Sequence, residues 1–441
     1  MAPTLADRLS PALDRLAGGA LARRPVTVRL WDGSVLPATA ADGAPTAPPT
    51  LEVRDPRALT TLAMHPDQLG LGRAWVSGAL DVDGDGADDV ERALAAAERL
   101  RGAHLSLADR LRALRLARRA GVPLLRPLPP PAAEAPRLRG RRHSLRRDRT
   151  AVRHHYDIPT SFYRLVLGPS MVYSCAYFAE PDEPLERAQE RKLDLVCRKL
   201  GLRPGQRLLD VGCGWGSLLL HAAQGYGVRA VGITLSPSQA REARRRVADE
   251  GLSDRVEVRV ADYREVRDGP YDAIASIGMV EHVGVGLLRT YACKLAALAR
   301  PGGRVLNHGI VRLAPAPRSD RTFIARYVFP DGELHPLSAV VSALEDAGLE
   351  VRDVEALREH YPRTLRAWSR NLARNREAAV AQAGAERERV WRLYMAGAAL
   401  AFERGEIGVF QTLAVRPGAP HGLALTRPWP EQAGRGVAVA A

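Results

Sequence analysis

The residues best suited to chemistry lie in Arg207-Leu-Leu-Asp-Val-Gly-Cys-Gly-Trp-Gly216. An apolar run ends at Asp210. Gly212, Gly214 and Gly216 follow at alternate positions, and an apolar helical stretch, 217–223, comes next. Glycines at a strand-to-helix turn let the backbone approach a ligand, because no Cβ intervenes. A G-x-G turn alone fits any dinucleotide fold. Here the glycines are packed more tightly than in the G-x-G-x-x-G fingerprint. A turn this tight suits an adenosyl group with no pyrophosphate, as in S-adenosylmethionine.

Such a turn needs a strand before it and a sheet around it. Apolar runs at 206–211, 229–233, 256–260, 272–277 and 304–310 alternate with helical patterns. This alternation predicts an α/β fold, a Rossmann-like, doubly wound parallel sheet. Runs at 350–354 and 409–415 close the sheet, and the helical stretch 362–404 between them is expected to cap the strand ends. Ligands bind at the carboxyl ends of such strands. The site is therefore expected among Asp210–Gly216, Thr234–Ser236, Asp262–Tyr263, Gly278–His282 and Asn307–Gly309. Glu281 and His308 fall in that set. Asp262 reads equally as a helix N-cap after a strand.

The chain has 441 residues, enough for two or three domains. The expected division is 1–120, a linker at 121–149, and a catalytic unit at 150–441. Hydrophobic content of 46% is globular. No apolar run approaches the ~20 residues that span a bilayer. Leu5, Leu9, Leu13 and Leu16 among charges make an amphipathic helix, not a signal peptide. Cys175, Cys197, Cys213 and Cys293 form no C-x-x-C pair, which points to a reducing cytosol and no metal.

Residues 25–100 read as a small α+β domain, with a strand at 26–31. Asp81-Val-Asp-Gly-Asp-Gly86 begins like a calcium loop. Arg92 stands where the twelfth-position Glu belongs, so a surface turn is expected. In 104–120, Leu107, Leu111 and Leu114 form a stripe among arginines. That helix suits an anionic bilayer or a domain edge. Pro123 to Pro136 reads as a stiff linker.

Net charge is +14, and Lys occurs only at 192, 199 and 294. Between Pro136 and His155 stand eight Arg and one acid, Asp148. Such a cluster favours a polyanion. It contains no Phe, Trp or Tyr to stack bases, which argues against nucleic acid.

Seven segments then fit one family together. They are Arg153-His-His-Tyr-Asp157, Tyr173-Ser-Cys-Ala-Tyr-Phe178, Leu209-Asp-Val-Gly-Cys-Gly-Trp-Gly216, Gly232-Ile-Thr-Leu-Ser-Pro-Ser-Gln239, Gly278-Met-Val-Glu-His-Val-Gly284, Tyr327-Val-Phe-Pro330 and His360-Tyr-Pro-Arg-Thr-Leu365. In this order and spacing they resemble cyclopropane-fatty-acyl-phospholipid synthases and the related mycolic acid cyclopropane synthases. The resemblance covers 150–415. Residues 1–110 resemble, less specifically, the N-terminal lipid-associating domain of the phospholipid-acting branch.

The resemblance implies methylene transfer from S-adenosylmethionine to a cis double bond of a phospholipid acyl chain. An alkene has no proton to remove beforehand, so positioning must do the work; it can be worth ~7–11 kcal/mol. A base must later take a proton from the added methyl so that the ring closes, and water must stay out. In the family that base is bicarbonate. The matching positions here are Cys175, Glu281, His308, Ile310 through its backbone, and Tyr361. His, Tyr and a backbone N–H can donate to an oxyanion, and Glu281 can accept the bicarbonate O–H. Cys175 also reads as a small buried filler.

By the same carry-over, Tyr173 and Ser174 meet the methionine portion of the cofactor. Asp210, Gly212, Gly214 and Gly216 pass beneath it. Thr234, Leu235 and Gln239 meet the ribose and adenine side, with Asp262 and Tyr263 at the adenine. No acid ends the second strand, so the ribose falls to Gln239. His155, Tyr156 and Asp157 match an entrance motif. Phe162, Tyr163, Tyr177 and Phe178 offer π faces or plain core. Members often carry a late-helix cysteine where this chain has Ala398, so no cysteine nucleophile is expected there.

The expected partner is an anionic phospholipid bilayer, met peripherally from the cytoplasmic side, with a homodimer left open. Two rivals remain. One leaves a methyl or methylene branch without closing the ring. The other methylates a small molecule.

Overall fold

A computed structural model describes residues 3–14, 22–40, 47–84, 86–98, 106–119, 126–135, 138, 140–156, 158–314 and 322–426. The chain folds as two compact units that are not consecutive in sequence. The first holds 1–137, 317–330 and 365–401; the second holds 138–316, 331–364 and 402–441.

The first unit opens with α1 (Leu5–Leu13), β1 (Thr27–Arg29), β2 (Val35–Leu36) and β3 (Thr50–Val53). Next come α2 (Arg57–Met64), α3 (Gln68–Val76), β4 (Leu80–Val82), α4 (Asp89–Ala97) and α5 (Leu107–Arg119). The four strands order β2-β1-β3-β4. Leu5 and Leu9 of α1 pack with Leu30, Leu36, Val53 and Leu80, which is the small α+β core expected. Asp67 caps α3 by accepting from the Gly70 N–H at 2.9 Å.

Three expectations change here. Asp81 is not in a surface turn: it is buried in β4 and paired with Arg389 at 2.9 Å. Among the described residues no cluster could hold a metal ion. The Pro-rich segment is not a free tether, because Leu128, Ala133 and Ala135 are buried and Glu134 pairs with Arg73 and Arg326, both at 2.8 Å. The late helices fold with the N-terminal residues, for the Trp75 indole donates to the Arg389 carbonyl at 2.8 Å and Arg389 returns a bond to the Trp75 carbonyl at 2.5 Å.

The second unit opens with α6 (Leu145–Tyr156), α7 (Thr160–Leu167) and α8 (Leu185–Leu200). The alternation follows: β5 (Arg207–Val211), α9 (Ser217–Tyr226), β6 (Arg229–Thr234), α10 (Pro237–Asp249) and β7 (Val256–Val260). It continues through β8 (Tyr271–Ile277), α11 (Leu288–Leu298), β9 (Ala299–Arg312), α12 (Leu337–Asp346) and β10 (Glu350–Ala356). α13 (His360–Arg374) begins in this unit and runs into the first, which holds α14 (Arg376–Ala383) and nearly all of α15 (Ala385–Glu403); β11 (Ile407–Val415) returns to the second.

The sheet orders β10-β11-β9-β8-β5-β6-β7. β7, β6, β5, β8 and β9 are parallel, while β11 runs antiparallel to β9 and to β10. Separate apolar clusters cover its two faces, one from α8, α9 and α10, the other from α11 and α12. This is the doubly wound sheet read from the alternation. Strand order reverses between β5 and β8, where such sheets open a crevice for ligands.

Candidate active site

Beyond β5 the chain makes the glycine turn. Gly212, Gly214 and Gly216 have φ of 86°, 53° and 82°, in the left-handed region. The N–H groups of Gly212 and Cys213 both donate to the Ile233 carbonyl, at 2.9 and 3.0 Å, which pins the turn to β6. A Cβ on Gly212 would lie 2.6 Å from Met279 Cγ, whereas one on Gly214 would meet nothing within 4 Å. The turn is thus packed at Gly212 and open at Gly214. That opening fits an adenosyl ligand at the start of α9.

Residues 170–174 are tied to the same place. The Ser170 carbonyl accepts from Ser217 Oγ at 2.5 Å and from Arg246 at 3.1 Å, and Arg246 also donates to the Trp215 carbonyl at 2.8 Å. Tyr163 is fully buried, with its ring 4.6 Å from Trp215 and 6.0 Å from Tyr173. Phe162 and Tyr163 are therefore core that shapes the loop. Tyr177 donates to Glu355 at 3.2 Å and packs on His360. Asp157 and the side chains of His155 and Tyr156 lie outside the described residues.

At the end of β6, Thr234 donates to Gln239 Oε1 at 2.8 Å, and Leu235 is half-buried beside them. The Gln239 carbonyl oxygen is thus engaged by Thr234. Asp262 is a cap: it accepts from the Arg264 N–H at 2.9 Å and from the Arg264 guanidinium at 2.7 and 2.6 Å. Tyr263 is buried, edge-on to Tyr291 at 5.5 Å.

The residues proposed to hold a base converge from four directions. Glu281 sits in the short turn after β8. His308 and Ile310 lie in β9. Cys175 and Tyr361 come from segments bonded to each other, since the Ala176 N–H donates to Thr364 at 3.1 Å and Phe178 N–H to His360 at 3.1 Å. Leu357 ties that pair to β11 by donating to the Val409 carbonyl at 2.8 Å, and β11 lies beside β9.

The Ile310 N–H was expected to meet an anion. It donates instead to Glu281 Oε1 at 2.7 Å, because a buried carboxylate takes the nearest donor. The other oxygen, Glu281 Oε2, is buried with no hydrogen-bond partner among the described residues; so is His308 Nε2. Buried polar atoms without partners are rare and ask for a ligand. Burial raises the Glu281 carboxyl to about 7 and pushes His308 well below its usual range. Burial also raises the Cys175 thiol, which donates to the Ala176 carbonyl at 3.3 Å and stays neutral.

Sequence reasoning missed Lys192. It is 2% exposed on α8 and donates to Ser174 Oγ at 2.9 Å. Burial lowers it to about 8, while the Asp210 charge opposes that fall. Burial lifts Asp210 to about 7, which the Lys192 charge opposes. Lys192 also lies within Coulombic reach of Cys175 and His308. A signal existed: Lys192 and Lys199, two of only three lysines, fall seven residues apart on the apolar face of α8. Gln411 was missed as well.

Residues 143–412 match the mycolic acid cyclopropane synthetase family. A Pseudomonas putida protein named a probable fatty acid methyltransferase is 41% identical, over 95% of this chain and 98% of its own length. The chain belongs to this cyclopropane synthetase family. A second relative, named a probable fatty acid methyltransferase of Mycobacterium tuberculosis, is 42% identical over 93% of this chain and 96% of its own. Among solved structures, mycolic acid cyclopropane synthase CmaA1 complexed with SAH and CTAB aligns with a TM-score of 0.58 at 35% identity. It covers 61% of this chain and 98% of its own. The fold is that of class I S-adenosylmethionine-dependent methyltransferases, and membership makes this synthetase-family protein one of them. Ala398 is half-buried in α15.

Proposed function

We propose that the protein transfers a methylene group from S-adenosylmethionine to the cis double bond of an unsaturated phospholipid acyl chain, forming a cyclopropane. The observation that carries the reading is the pair of buried atoms without partners among the described residues, Glu281 Oε2 in the turn after β8 and His308 Nε2 within β9, where His308 pairs with Ile277 at the end of β8. A donor and an acceptor held there suit an oxyanion that carries one proton, which is bicarbonate.

S-adenosylmethionine supplies an electrophilic methyl, and bicarbonate supplies a base that the chain's own residues lack. Burial pushes His308 well below its usual range, so its neutral ring is a weak base, and Cys175 is a protonated thiol. Glu281 orients the bicarbonate through its O–H, and His308, Cys175 and Tyr361 complete the cradle. Tyr173, Ser174, Asp210, the three glycines, Thr234, Leu235, Gln239 and Tyr263 form the cofactor side, with Asp262 shaping the turn that holds Tyr263.

Membrane contact falls to α5. Leu107 and Leu111 are 74% and 49% exposed beside exposed Arg112, Arg115 and Arg118, which suits an anionic bilayer surface. No helix among the described residues is long and apolar enough to cross a membrane. On this reading the protein works peripherally, from the cytoplasmic face.

A second reading has its own support. Two relatives that match over 95% and 93% of this chain are named probable fatty acid methyltransferases. On that reading the product is a methyl or methylene branch. Incubation with unsaturated phospholipid vesicles and methyl-labelled cofactor, followed by proton NMR of the lipid, decides. An upfield ring methylene supports the cyclopropane. Olefinic methylene or branched methyl signals alone would replace it with the second reading.

A further inference from the structure

β9 and β11 run antiparallel with Gln411 directly opposite His308. Both side chains are buried, at 0% and 2% exposure. Gln411 Nε2 lies 3.2 Å from His308 Nδ1. An amide nitrogen can only donate, so Nδ1 must offer its lone pair. In a neutral imidazole the single proton then sits on Nε2. Nε2 is the ring atom that is buried without a partner among the described residues. Burial keeps the ring neutral, and the nearby Lys192 and Lys199 charges push the same way.

We propose that Gln411 is a positioning residue that fixes His308 in its Nε2–H tautomer, presenting that N–H as a donor to the oxyanion site. Among the described residues, no other group bonds either ring nitrogen. The ring's two nitrogens differ only in that one faces the neighbouring strand and the other does not. A strand residue of similar volume without an amide would fill the space but leave the proton free to sit on either nitrogen. With the proton on Nδ1, the Nε2 lone pair would face an anion and repel it. The proposal rests on the oxyanion reading for its purpose, but not for the tautomer itself.

Two-bond proton–nitrogen NMR of the full chain with ¹⁵N-labelled histidine tests it, with His308 assigned by its loss in His308→Asn. The expected wild-type pattern at neutral pH is a neutral ring protonated at Nε2. Gln411→Glu presents a carboxylate that accepts, and should move the proton to Nδ1 or charge the ring. That variant should raise the KM for bicarbonate ~10-fold or more, with the KM for S-adenosylmethionine unchanged. Gln411→Met should give mixed tautomers. A wild-type ring protonated at Nδ1 overturns the proposal, and so does an unchanged tautomer in folded Gln411→Glu. If neither variant folds, the wild-type spectrum alone decides. An Nε2–H ring with turnover indifferent to bicarbonate supports the tautomer and sinks the bicarbonate base instead.

Discussion

Glu281 concentrates the chemistry of the site in one side chain. One oxygen is satisfied by the Ile310 N–H and the other is not. Glu281→Gln keeps the shape but cannot orient a bicarbonate O–H in the same way. We expect turnover to fall by roughly 10²–10³-fold, with S-adenosylhomocysteine affinity nearly unchanged by calorimetry. Unchanged turnover would remove the orienting role. The same carboxyl makes a stability prediction. Its folded value, about 7, stands above its ordinary 4.5. Between those values the unfolded chain releases the proton and the folded protein keeps it, so stability falls as pH rises through that window. Glu281→Gln removes that loss. It should gain up to roughly 3 kcal/mol at pH 8, and little at pH 4. Urea denaturation at both values measures the difference.

Elements position these residues, and two of them can be tested apart from chemistry. The turn between β5 and α9 is tight at Gly212 and open at Gly214. Gly214→Ala should cost ~1–2 kcal/mol for its left-handed backbone and should chiefly weaken S-adenosylhomocysteine binding. Gly212→Ala meets the Met279 side chain as well, so it should lose more stability. The reverse order would misplace the ligand-facing glycine. On α8, Lys192 and Asp210 counter each other's burial. Lys192→Met leaves a buried carboxylate without its cation and should cost roughly 1–3 kcal/mol. Adding Asp210→Asn should recover part of it. A double variant no more stable than the single would show that the two charges are uncoupled.

For the molecule as a whole, the question is which surface meets lipid. The sequence offers two candidates, the arginine cluster before His155 and the helix at 104–120. The structure divides the cluster. Arg147 makes two bonds to the buried Asp331, at 2.5 and 2.7 Å, so it is structural. Arg141 and Arg146 are exposed. Leu107 and Leu111 of α5 are exposed too. Leu107→Ser with Leu111→Ser should weaken flotation with anionic liposomes about tenfold or more. Arg141→Ala with Arg146→Ala should weaken it less, and only at low salt. Arg147→Ala should instead lower thermal stability by removing both of its hydrogen bonds to Asp331, which among the described residues keeps only Arg142 at 3.7 Å. Equal flotation of the leucine pair variant would discard α5 as a lipid contact.

Much was legible before any coordinates, for local reasons. Strand and helix periods, and a turn with glycine at 212, 214 and 216, follow from backbone sterics and from which side chains avoid water. The five parallel strands were found within one or two residues, except β9, which extends from 299, where Ala299 pairs with Tyr271 of β8, to 312, where Arg312 pairs with Ile407 of β11. The motifs also placed Glu281 and His308 at strand ends. What lay beyond reach depends on partners distant in sequence. The Ile310 N–H is taken by Glu281, Asp262 is occupied by Arg264, and Gln411 faces His308 across 103 residues. The late helices fold with the N-terminal residues because Arg389 finds its partners at Trp75, Leu80 and Asp81. Periodicity reports which face of an element is buried. Which polar group meets which, and so which is left for a ligand, is settled only when strands far apart in the chain lie side by side.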